Sequence, residues 1–353
     1  MTSPDPERGA LILAGGSGER FWPWSTPERP KQLLPLAPGG RTLLAATFER
    51  ATRVVPPRSV LVMTSAALVE ACRRECPGAT VVGEPVGRNT APAIAAAAAF
   101  FAADAAFAVL PADHAIEPAA AFAADIARAF EVARRDPVLV TFGVRPTAPE
   151  TSFGYLQRGE RLAERLHRVA RFTEKPDRAR AAAWVAGGDH LWNSGIFVWR
   201  KRVFLDALAA GRPAIAAALA GLSLSAGGER AFEAALAERF PALESVSVDY
   251  AVLEQAPNVV LIEASFDWDD LGSWGAWARR QPADAHGNVL WGEAVPVDCE
   301  RCVVVGDGAP AAPLGLSDMV VVATPNGTLV CRRQDTEQVR RVTDAVRARG
   351  SRA

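Results

Sequence analysis

The residues of this chain best suited to chemistry are two cations, Arg20 and Lys31, which follow a glycine-rich turn. Gly15, Gly16 and Gly18 allow the backbone of that turn to take positive φ angles and to approach a ligand without a Cβ in the way. Such a turn can direct several backbone N–H groups at anionic oxygens. Arginine adds a planar set of donors and lysine adds a mobile point charge, and both suit phosphate. The spacing therefore predicts a phosphate-binding loop.

A short apolar run, residues 11–14, leads into this turn, as expected of a strand buried on both faces of a parallel sheet. The turn matches neither the G-x-G-x-x-G fingerprint of dinucleotide folds nor the G-x-x-x-x-G-K-[ST] sequence of P-loops. Pro23, Pro27 and Pro30 follow and exclude a regular helix directly after the glycines. An ordinary tight turn would explain the glycines, but it would not explain the two cations.

A carboxylate, Asp113, follows the apolar run that ends in Val109-Leu110-Pro111-Ala112. Phosphate groups are commonly bound together with a divalent cation, and Mg²⁺ is usually held by one or two carboxylates together with phosphate oxygens. We therefore expect Mg²⁺ as the cofactor, with Asp113 as its first ligand, although a helix cap is the structural alternative. A second carboxylate should come from far along the chain, and Asp267, Asp269 and Asp270 are the candidates.

The stretch from Leu11 to Leu36, LILAGGSGERFWPWSTPERPKQLLPL, resembles the signature of the sugar-nucleotide pyrophosphorylases. Its Trp-Pro pair and Pro-Lys-Gln triplet resemble the mannose-1-phosphate guanylyltransferases within that group. EPVGRNTAPA from Glu84 to Ala93 and WDDLGSW from Trp268 to Trp274 resemble further elements of the same family. The resemblance implies transfer of a guanylyl group from GTP to mannose 1-phosphate, with GDP-mannose and diphosphate as the products.

The resemblance also implies roles for residues at the matching positions. Asp113 and Asp270 would bind Mg²⁺, Arg20 and Lys31 would stabilise the departing diphosphate, and Lys175 would steer the sugar phosphate. The residues expected to contact the nucleotide are Leu13, Ala14, Gly15, Gly16, Gly18, Glu84, Arg88, Asn89, Pro111 and Ala112. The residues expected to bind the sugar phosphate are Gly154, Tyr155, Glu174 and Asn193. The tryptophans around Asp270 are expected to form walls of the pocket.

Two of these assignments have structural alternatives that the residues themselves leave open. Asn89 or Thr90 could cap the helix expected near Pro92, without any contact to the nucleobase. Glu174 could form a surface salt bridge with an arginine instead of accepting hydrogen bonds from sugar hydroxyls.

Strands and helices alternate through the first part of the chain, which predicts an α/β domain with mainly parallel pairing and ligands at the carboxyl ends of its strands. We predict this domain over residues 8–284, and a small β-rich domain ending in a helix over residues 285–353. The resemblance implies a Rossmann-like, GT-A-like catalytic fold and a left-handed β-helix-like C-terminal domain that serves in a homodimer. The family sequence T-x-D-A-x-L-V is replaced here by Thr324-Pro325-Asn326-Gly327-Thr328-Leu329-Val330.

Composition excludes several classes of partner. The 353 residues carry a net charge of −1, so no global basic field attracts nucleic acid or an anionic membrane. No long apolar run predicts a membrane span, and the N-terminal residues contain no apolar signal core. We therefore expect a cytoplasmic protein with neither nucleic acid nor membrane as a partner. The five cysteines are expected to be free thiols.

Two alternative functions follow from the same residues. One is nucleotidyl transfer to another sugar 1-phosphate, such as a heptose 1-phosphate. The other is a regulatory subunit that binds a nucleotide sugar without catalysis, for which loss of Arg20, Lys31, Asp113 or Asp270 would be expected; all four are present.

Overall fold

The structure is a computed structural model that describes residues 7–16, 18–223 and 228–350. The last three residues of the predicted C-terminal domain lie outside these ranges. The strands are β1 (Arg8–Leu13), β2 (Val60–Ser65), β3 (Thr80–Glu84), β4 (Ala106–Pro111), β5 (Ala115–Glu117), β6 (Leu139–Val144), β7 (Gly154–Ala163), β8 (Leu166–Glu174), β9 (His190–Arg200), β10 (Val259–Glu263), β11 (Asp267–Asp269), β12 (Val289–Ala294), β13 (Val303–Ala311), β14 (Met319–Thr324) and β15 (Gly327–Arg332). The α-helices are α1 (Leu43–Thr52), α2 (Val69–Glu75), α3 (Thr90–Ala97), α4 (Ala119–Arg135), α5 (Arg178–Gly187), α6 (Lys201–Gly211), α7 (Pro213–Leu219), α8 (Gly228–Arg239), α9 (Trp274–Ala278) and α10 (Val339–Ala348).

The described residues form two compact units, each built from several chain segments. Unit 1 comprises residues 7–15, 44–112, 116–223 and 228–268, and unit 2 comprises residues 16, 18–43, 113–115 and 269–350. The glycine-rich loop is thus divided between Gly15 and Gly16, and most of it belongs to unit 2. The domain boundary that we predicted at residue 284 separates two continuous segments, whereas each unit combines several segments of the chain. The boundary therefore stays a prediction.

Unit 1 is built on one mixed sheet with the strand order β3-β2-β1-β4-β9-β6-β10-β8-β7. Strands β3, β2, β1 and β4 are parallel to one another, as is β10 to β6. β9 enters antiparallel to both β4 and β6, and β7 and β8 form an antiparallel pair. The predicted α/β fold is confirmed, with parallel pairing concentrated at one side of the sheet.

The buried strands explain why ligand-binding residues lie at strand ends. Ala10, Leu11 and Ile12 of β1 have no exposed surface, because helices cover both faces of a doubly wound sheet. Polar side chains are therefore confined to the places where a strand stops. Glu84 is the last residue of β3 and Glu174 is the last residue of β8.

Unit 2 contains a small sheet in the order β12-β13-β14-β15. β12, β13 and β14 stack in parallel, and β15 returns antiparallel to β14. Cys299 and Cys302 lie in the buried interior of this stack with Val304 and Val321. The predicted β-rich domain and its terminal helix, α10, are confirmed. No helix within the described ranges is both long enough and apolar enough to cross a lipid bilayer.

A cluster of tryptophans joins the opening loop to the rest of unit 2. Trp24 is 2% exposed, and its ring centroid lies 5.7 Å from that of Trp274, 5.8 Å from that of Trp277 and 5.6 Å from that of Trp291. Its Nε1 donates a hydrogen bond of 2.6 Å to Asp307. We expected the tryptophans around Asp270 to form pocket walls, but Trp274 is fully buried, because it packs in this cluster.

A glycine of the altered C-terminal segment makes room for the same loop. A Cβ at Gly327 would lie 3.0 Å from Cζ2 of Trp22, closer than most side-chain contacts. The glycine that replaces the alanine of the family sequence therefore accommodates Trp22. The backbone N–H of Asn326 donates to Thr324 Oγ1 at 3.1 Å.

Replacing Trp24 by Ala should lower the free energy of unfolding by about 3–5 kcal/mol, because it empties an aromatic core and removes a donor to Asp307. Denaturant unfolding followed by fluorescence and circular dichroism measures this change. Leu162 on β7, which is 41% exposed, provides the control: Leu162→Ala should stay within about 0.5 kcal/mol of the wild type. Equal midpoints for the two variants would contradict the packing described.

Candidate active site

The ammonium group of Lys31 connects the two predicted metal ligands. Its Nζ donates a hydrogen bond of 2.8 Å to Asp113 Oδ2 and another to the backbone carbonyl of Asp270. Lys31 is only 6% exposed, so its charge is poorly screened by water. The lysine thereby holds residues that are far apart in the sequence in one site within unit 2.

The backbone of the glycine-rich loop brings Lys31 into place. Gly18 has φ of +63°, a left-handed conformation that glycine adopts without strain. A Cβ at this position would collide with the backbone and Cβ of Lys31. Both properties require glycine here, and they explain the third glycine of the turn.

Arg20 reaches the same site from the short helical turn after Gly18. Its Nη1 lies 3.4 Å from the carbonyl oxygen of Gly272, and its side chain is otherwise open to solvent. A Cβ at Gly272 would lie 3.0 Å from Asp270 Oδ2 and 3.3 Å from Arg20 Nη1. The glycine therefore lets the carboxylate and the guanidinium approach the same backbone segment.

These side chains line a cavity of about 250 Å³ in unit 2. Its lining residues are Gly18, Glu19, Arg20, Phe21, Lys31, Asp113, His114, Asp270, Leu271, Gly272 and Arg340. The structure thus brings together four residues that we predicted to act on the diphosphate and the metal: Arg20, Lys31, Asp113 and Asp270. The lining contains both cations and carboxylates, a combination suited to a phosphate chain carrying a divalent cation.

The two carboxylates differ in their electrostatic surroundings. Burial acts to raise the pKa of Asp113, but the nearby charges of Lys31 and His114 outweigh it and lower the pKa. Burial raises the pKa of Asp270, and Asp113 and Asp269 add to that rise. Asp269 uses Oδ1 to accept the N–H of Leu271 at 2.8 Å, so it shapes the turn instead of facing the cavity.

Asp113 and Asp270 are the residues of this cavity that could together hold a divalent cation. No group of three or more His, Cys, Asp or Glu side chains able to hold a metal ion occurs among the described residues. Asp113 and Asp270 form a pair whose mutual repulsion Lys31 relieves only in part, since the pKa of Asp270 remains raised. One or two carboxylates completed by phosphate oxygens and water are the usual protein environment of Mg²⁺.

In unit 1, the half-buried carboxylate of Glu84 lies near the first glycine of the loop. A Cβ at Gly15 would lie 3.8 Å from Glu84 Oε1. Burial raises the pKa of Glu84 to about 7, and within the described ranges no protein group donates a hydrogen bond to its carboxylate. An acceptor left open in this way is a candidate for binding the N–H groups of a ligand.

Four of the predicted nucleotide-binding residues use their backbone groups inside the sheet. The N–H of Ala14 donates to the carbonyl of Met63 at 2.7 Å, and the N–H of Ala112 donates to the carbonyl of Leu13 at 3.0 Å. Pro111 is the last residue of β4 and pairs with Leu13 of β1. These residues support the turns at the ends of β1 and β4, and their contact with a nucleotide stays a prediction.

Arg88 and Asn89 have structural partners of their own. Arg88 donates through Nη2 to the carbonyl of Pro241. Asn89 caps α3, since its side-chain oxygen accepts the N–H of Thr90 at 2.8 Å. Thr90 Oγ1 in turn accepts the N–H of Val248 at 2.9 Å. The helix cap considered as the structural alternative for this motif is therefore present at Asn89, whereas the Thr90 hydroxyl binds the backbone of Val248.

A second group of polar residues gathers in unit 1 around the end of β8. Gly154 pairs with Glu174 across β7 and β8, and a Cβ at Gly154 would collide with the Glu174 carboxylate. Burial, with the neighbouring Asp249, raises the pKa of Glu174 to about 7. Lys175 Nζ lies 3.5 Å from Glu174 Oε1 and remains 59% exposed. The structure therefore brings Gly154, Glu174 and Lys175 together.

Asn193 belongs to this group, and its amide is fixed at both ends. Its Oδ1 accepts the hydroxyl of Thr141 at 3.0 Å, and its Nδ2 donates to Asp249 Oδ1 at 2.9 Å. One N–H of the amide is left to meet a ligand. Asp249 was missed by our sequence reasoning, because an aspartate at the start of a helical turn resembles an ordinary cap.

Tyr155 does not join this group. Its ring is fully buried, and its hydroxyl donates to the carbonyl of Glu150 at 2.9 Å. We expected a pocket wall or a hydrogen-bond donor to the sugar. Tyr155 follows Gly154 along β7, and its side chain points to the other face of the sheet, because successive residues of a strand alternate between faces.

Similarity to known proteins identifies the family that this geometry belongs to. The sequence pattern of the nucleotidyl transferases matches residues 9–286, and that of the MannoseP isomerase/GMP-like beta-helix domain matches residues 292–345. The chain belongs to the nucleotidyl transferase family, as the opening loop indicates.

Individual relatives within that family narrow the similarity to one kind of enzyme. The chain is 38% identical to mannose-1-phosphate guanylyltransferase of Escherichia coli over 344 residues, 95% of this chain and 73% of that protein. The enzyme of the same name from Klebsiella pneumoniae gives the same identity and coverage. The crystal structure of mannose-1-phosphate geranyltransferase from Thermus thermophilus superposes with a TM-score of 0.86 at 34% identity, covering 97% of this chain and 99% of that chain.

The raised pKa of Glu84 has a measurable effect on stability. The folded-state pKa of about 7 exceeds the ordinary value of 4.5, so the folded state binds this proton more tightly than the unfolded state does. The stabilisation is full below pH 4.5 and is lost as the pH rises through 7. Glu84→Gln should therefore become more stable relative to the wild type as the pH increases from about 5 to about 8.

Denaturant midpoints at several pH values measure this difference. Glu131→Gln, which removes an exposed carboxylate on α4, is the control, and its difference from the wild type should stay constant over the same interval. A constant difference for Glu84→Gln as well would contradict the burial of an unpaired carboxylate.

Proposed function

We propose that the protein is a mannose-1-phosphate guanylyltransferase that converts GTP and α-D-mannose 1-phosphate to GDP-mannose and diphosphate. The observation that carries this proposal is the bridge from Lys31 to Asp113 and Asp270, in a nucleotidyl transferase that is 38% identical to enzymes of that name. A non-catalytic relative would have no need to keep a buried lysine between two carboxylate-bearing turns.

The reaction needs positioning and charge neutralisation and no protein nucleophile. A phosphate oxygen of mannose 1-phosphate attacks the α-phosphorus of GTP, the bond from that phosphorus to the β-bridging oxygen breaks, and diphosphate leaves with its electron pair. The attacking oxygen is already ionised, so no general base is required. Mg²⁺ held by Asp113 and Asp270 would supply the charge that neutralises the phosphate oxygens.

The residues of unit 2 then act on the phosphate chain. Arg20 presents an exposed guanidinium to the departing diphosphate, which suits a group with several anionic oxygens. Lys31 keeps Asp113 ionised and holds the turn at Asp270. The Lys31 ammonium is already shared between these two residues. Lys31 therefore acts mainly on the predicted metal ligands, and its effect on the diphosphate is secondary.

Glu84 supports the choice of guanine. Guanine presents donors at N1 and N2, which a carboxylate can accept together, whereas adenine presents no donor at N1. Glu84 supplies a half-buried carboxylate that accepts no hydrogen bond from a described protein group, next to the glycine turn. We therefore assign the nucleobase to Glu84 and leave Arg88 and Asn89 with supporting roles.

The group around Glu174 supports a sugar phosphate. Glu174 and the remaining N–H of Asn193 offer an acceptor and a donor for hydroxyls, and the exposed ammonium of Lys175 meets the phosphate. Asp249 acts through Asn193, so it is a positioning residue. Because Gly154 has no side chain, the Glu174 carboxylate can lie directly against the backbone of β7.

The setting of the enzyme follows from its substrates. GTP and sugar phosphates are metabolites of the cytoplasm, and we place the protein there, without nucleic acid or membrane partners. We further propose a homodimer formed through unit 2, where Val297 and Leu314 pair side by side and are 47% and 68% exposed. Exposed apolar pairs of this kind are typical of protein contacts.

Incubation of the protein with Mg²⁺, GTP and mannose 1-phosphate should release diphosphate, measured by a coupled phosphate assay. A panel of other hexose and heptose 1-phosphates, and of other nucleoside triphosphates, should give lower kcat/KM. Asp270→Asn should lower kcat by at least about 10²-fold without changing the melting temperature greatly, because one metal ligand loses its charge. No turnover by the wild type with any member of the panel would defeat the proposal.

Asp249→Ala should raise KM for mannose 1-phosphate by about tenfold, since the Asn193 amide loses the partner that orients it. KM for GTP should stay unchanged, which separates a positioning role from general loss of structure. Asp206→Ala, an exposed aspartate on α6, is the matched control and should leave both constants unchanged. Equal changes in both KM values for Asp249→Ala would argue for a purely structural role.

A further inference from the structure

The terminal helix α10 contacts the opening loop through one carboxylate. Glu19, the residue directly after Gly18, accepts a hydrogen bond of 2.8 Å from Arg347 Nη1, and its other oxygen lies 3.4 Å from Arg340 Nε. The buried Thr343 hydroxyl donates to the Glu19 carbonyl at 3.4 Å. Three successive turns of the helix therefore contact a single residue of the phosphate-binding loop.

Arg340 also lines the cavity that contains the predicted metal ligands. It is a lining residue together with Arg20, Lys31, Asp113 and Asp270, although it lies some 70 residues further along the chain than the last of these. Its side chain is 69% exposed. Within the described part of the chain, Arg340 makes a single ion pair, from its Nε to Glu19. Both Nη groups therefore retain their N–H donors.

The charges of the cavity show what Arg340 adds. Lys31 already shares its ammonium between Asp113 and Asp270, which leaves Arg20 with an open guanidinium. One guanidinium and a bound Mg²⁺ together do not neutralise the full negative charge of a diphosphate. A second guanidinium, with two free donors in a planar fork, suits the oxygens that Arg20 does not reach.

Docking of the helix does not depend on Arg340. Arg347 holds Glu19 at the shorter distance, and Thr343 fixes the backbone of the same residue. Arg340 makes the longer and more exposed contact, of the kind that contributes little to stability. Its position at the cavity is therefore better explained by a ligand than by the packing of α10.

We infer that Arg340 binds the diphosphate group, both as the β- and γ-phosphates of the incoming nucleotide and as the leaving product. This rests on the proposed function, and it makes the terminal helix of the β-rich domain a contributor to catalysis. Arg340 lies at the opposite end of the sequence from the glycine loop, so the two ends of the chain supply one guanidinium each to the same phosphates.

The test measures binding of inorganic diphosphate with Mg²⁺ to the full chain by titration calorimetry, which requires no turnover. Arg340→Ala should weaken this binding by about tenfold to a hundredfold, the effect of losing hydrogen bonds to a charged group. Arg340→Lys should recover part of the affinity, because the charge remains while the fork is lost. Melting temperatures of the variants show whether α10 stays docked.

Arg341→Ala is the matched control. Arg341 is the next residue of the same helix and donates instead to Gln338 at 2.8 Å, so its loss should leave diphosphate binding unchanged. In the forward reaction, Arg340→Ala should raise KM for GTP and leave KM for mannose 1-phosphate unchanged.

Equal affinities of Arg340→Ala and Arg341→Ala for diphosphate would overturn the inference, as would absence of diphosphate binding by the wild type. Weakened binding by Arg340→Ala in a protein that turns over no sugar 1-phosphate would support the diphosphate site and reject the proposed enzyme. The two failures are thus distinguished by separate measurements.

Discussion

The buried ammonium of Lys31 is the interaction that holds the site in unit 2 together. Two carboxylates in one cavity repel each other, and bringing them together without a cation costs several kcal/mol in a poorly solvated site. Lys31 compensates the charge of Asp113 and fixes the backbone at Asp270. The left-handed Gly18 is what allows the lysine to come so close to the turn.

Much of the remaining structure of unit 2 holds the loop that carries this lysine. Trp24 anchors it by stacking on Trp274 and by its hydrogen bond to Asp307. Glu19 anchors it from the other direction through the arginines of α10. The β-rich domain therefore supports the glycine-rich loop through contacts within unit 2.

Some of the site residues predicted from sequence lie together in the folded chain, and others have structural partners. One cavity contains Arg20, Lys31, Asp113 and Asp270. Polar motifs are confined to the ends of buried strands, and this confinement favours their meeting in one place. Asn89 and Tyr155 have structural partners instead. The sequence does not distinguish an asparagine that caps a helix from one that binds a ligand, or a core tyrosine from one that donates to a ligand. Asp249 and Arg340 left no signal in the sequence, because the role of each depends on a neighbour distant in the chain.

Local sequence was sufficient to predict the α/β class, the β-rich C-terminal domain and the family, because apolar runs and long contiguous motifs are local properties. Three-dimensional contacts were needed to establish that Lys31 connects Asp113 to the backbone of Asp270, that the tryptophans of the opening loop form a core, and that Glu84 is left without a donor among the described residues. These facts concern distances between residues far apart in the chain, and burial and charge act through such distances, which no local pattern records.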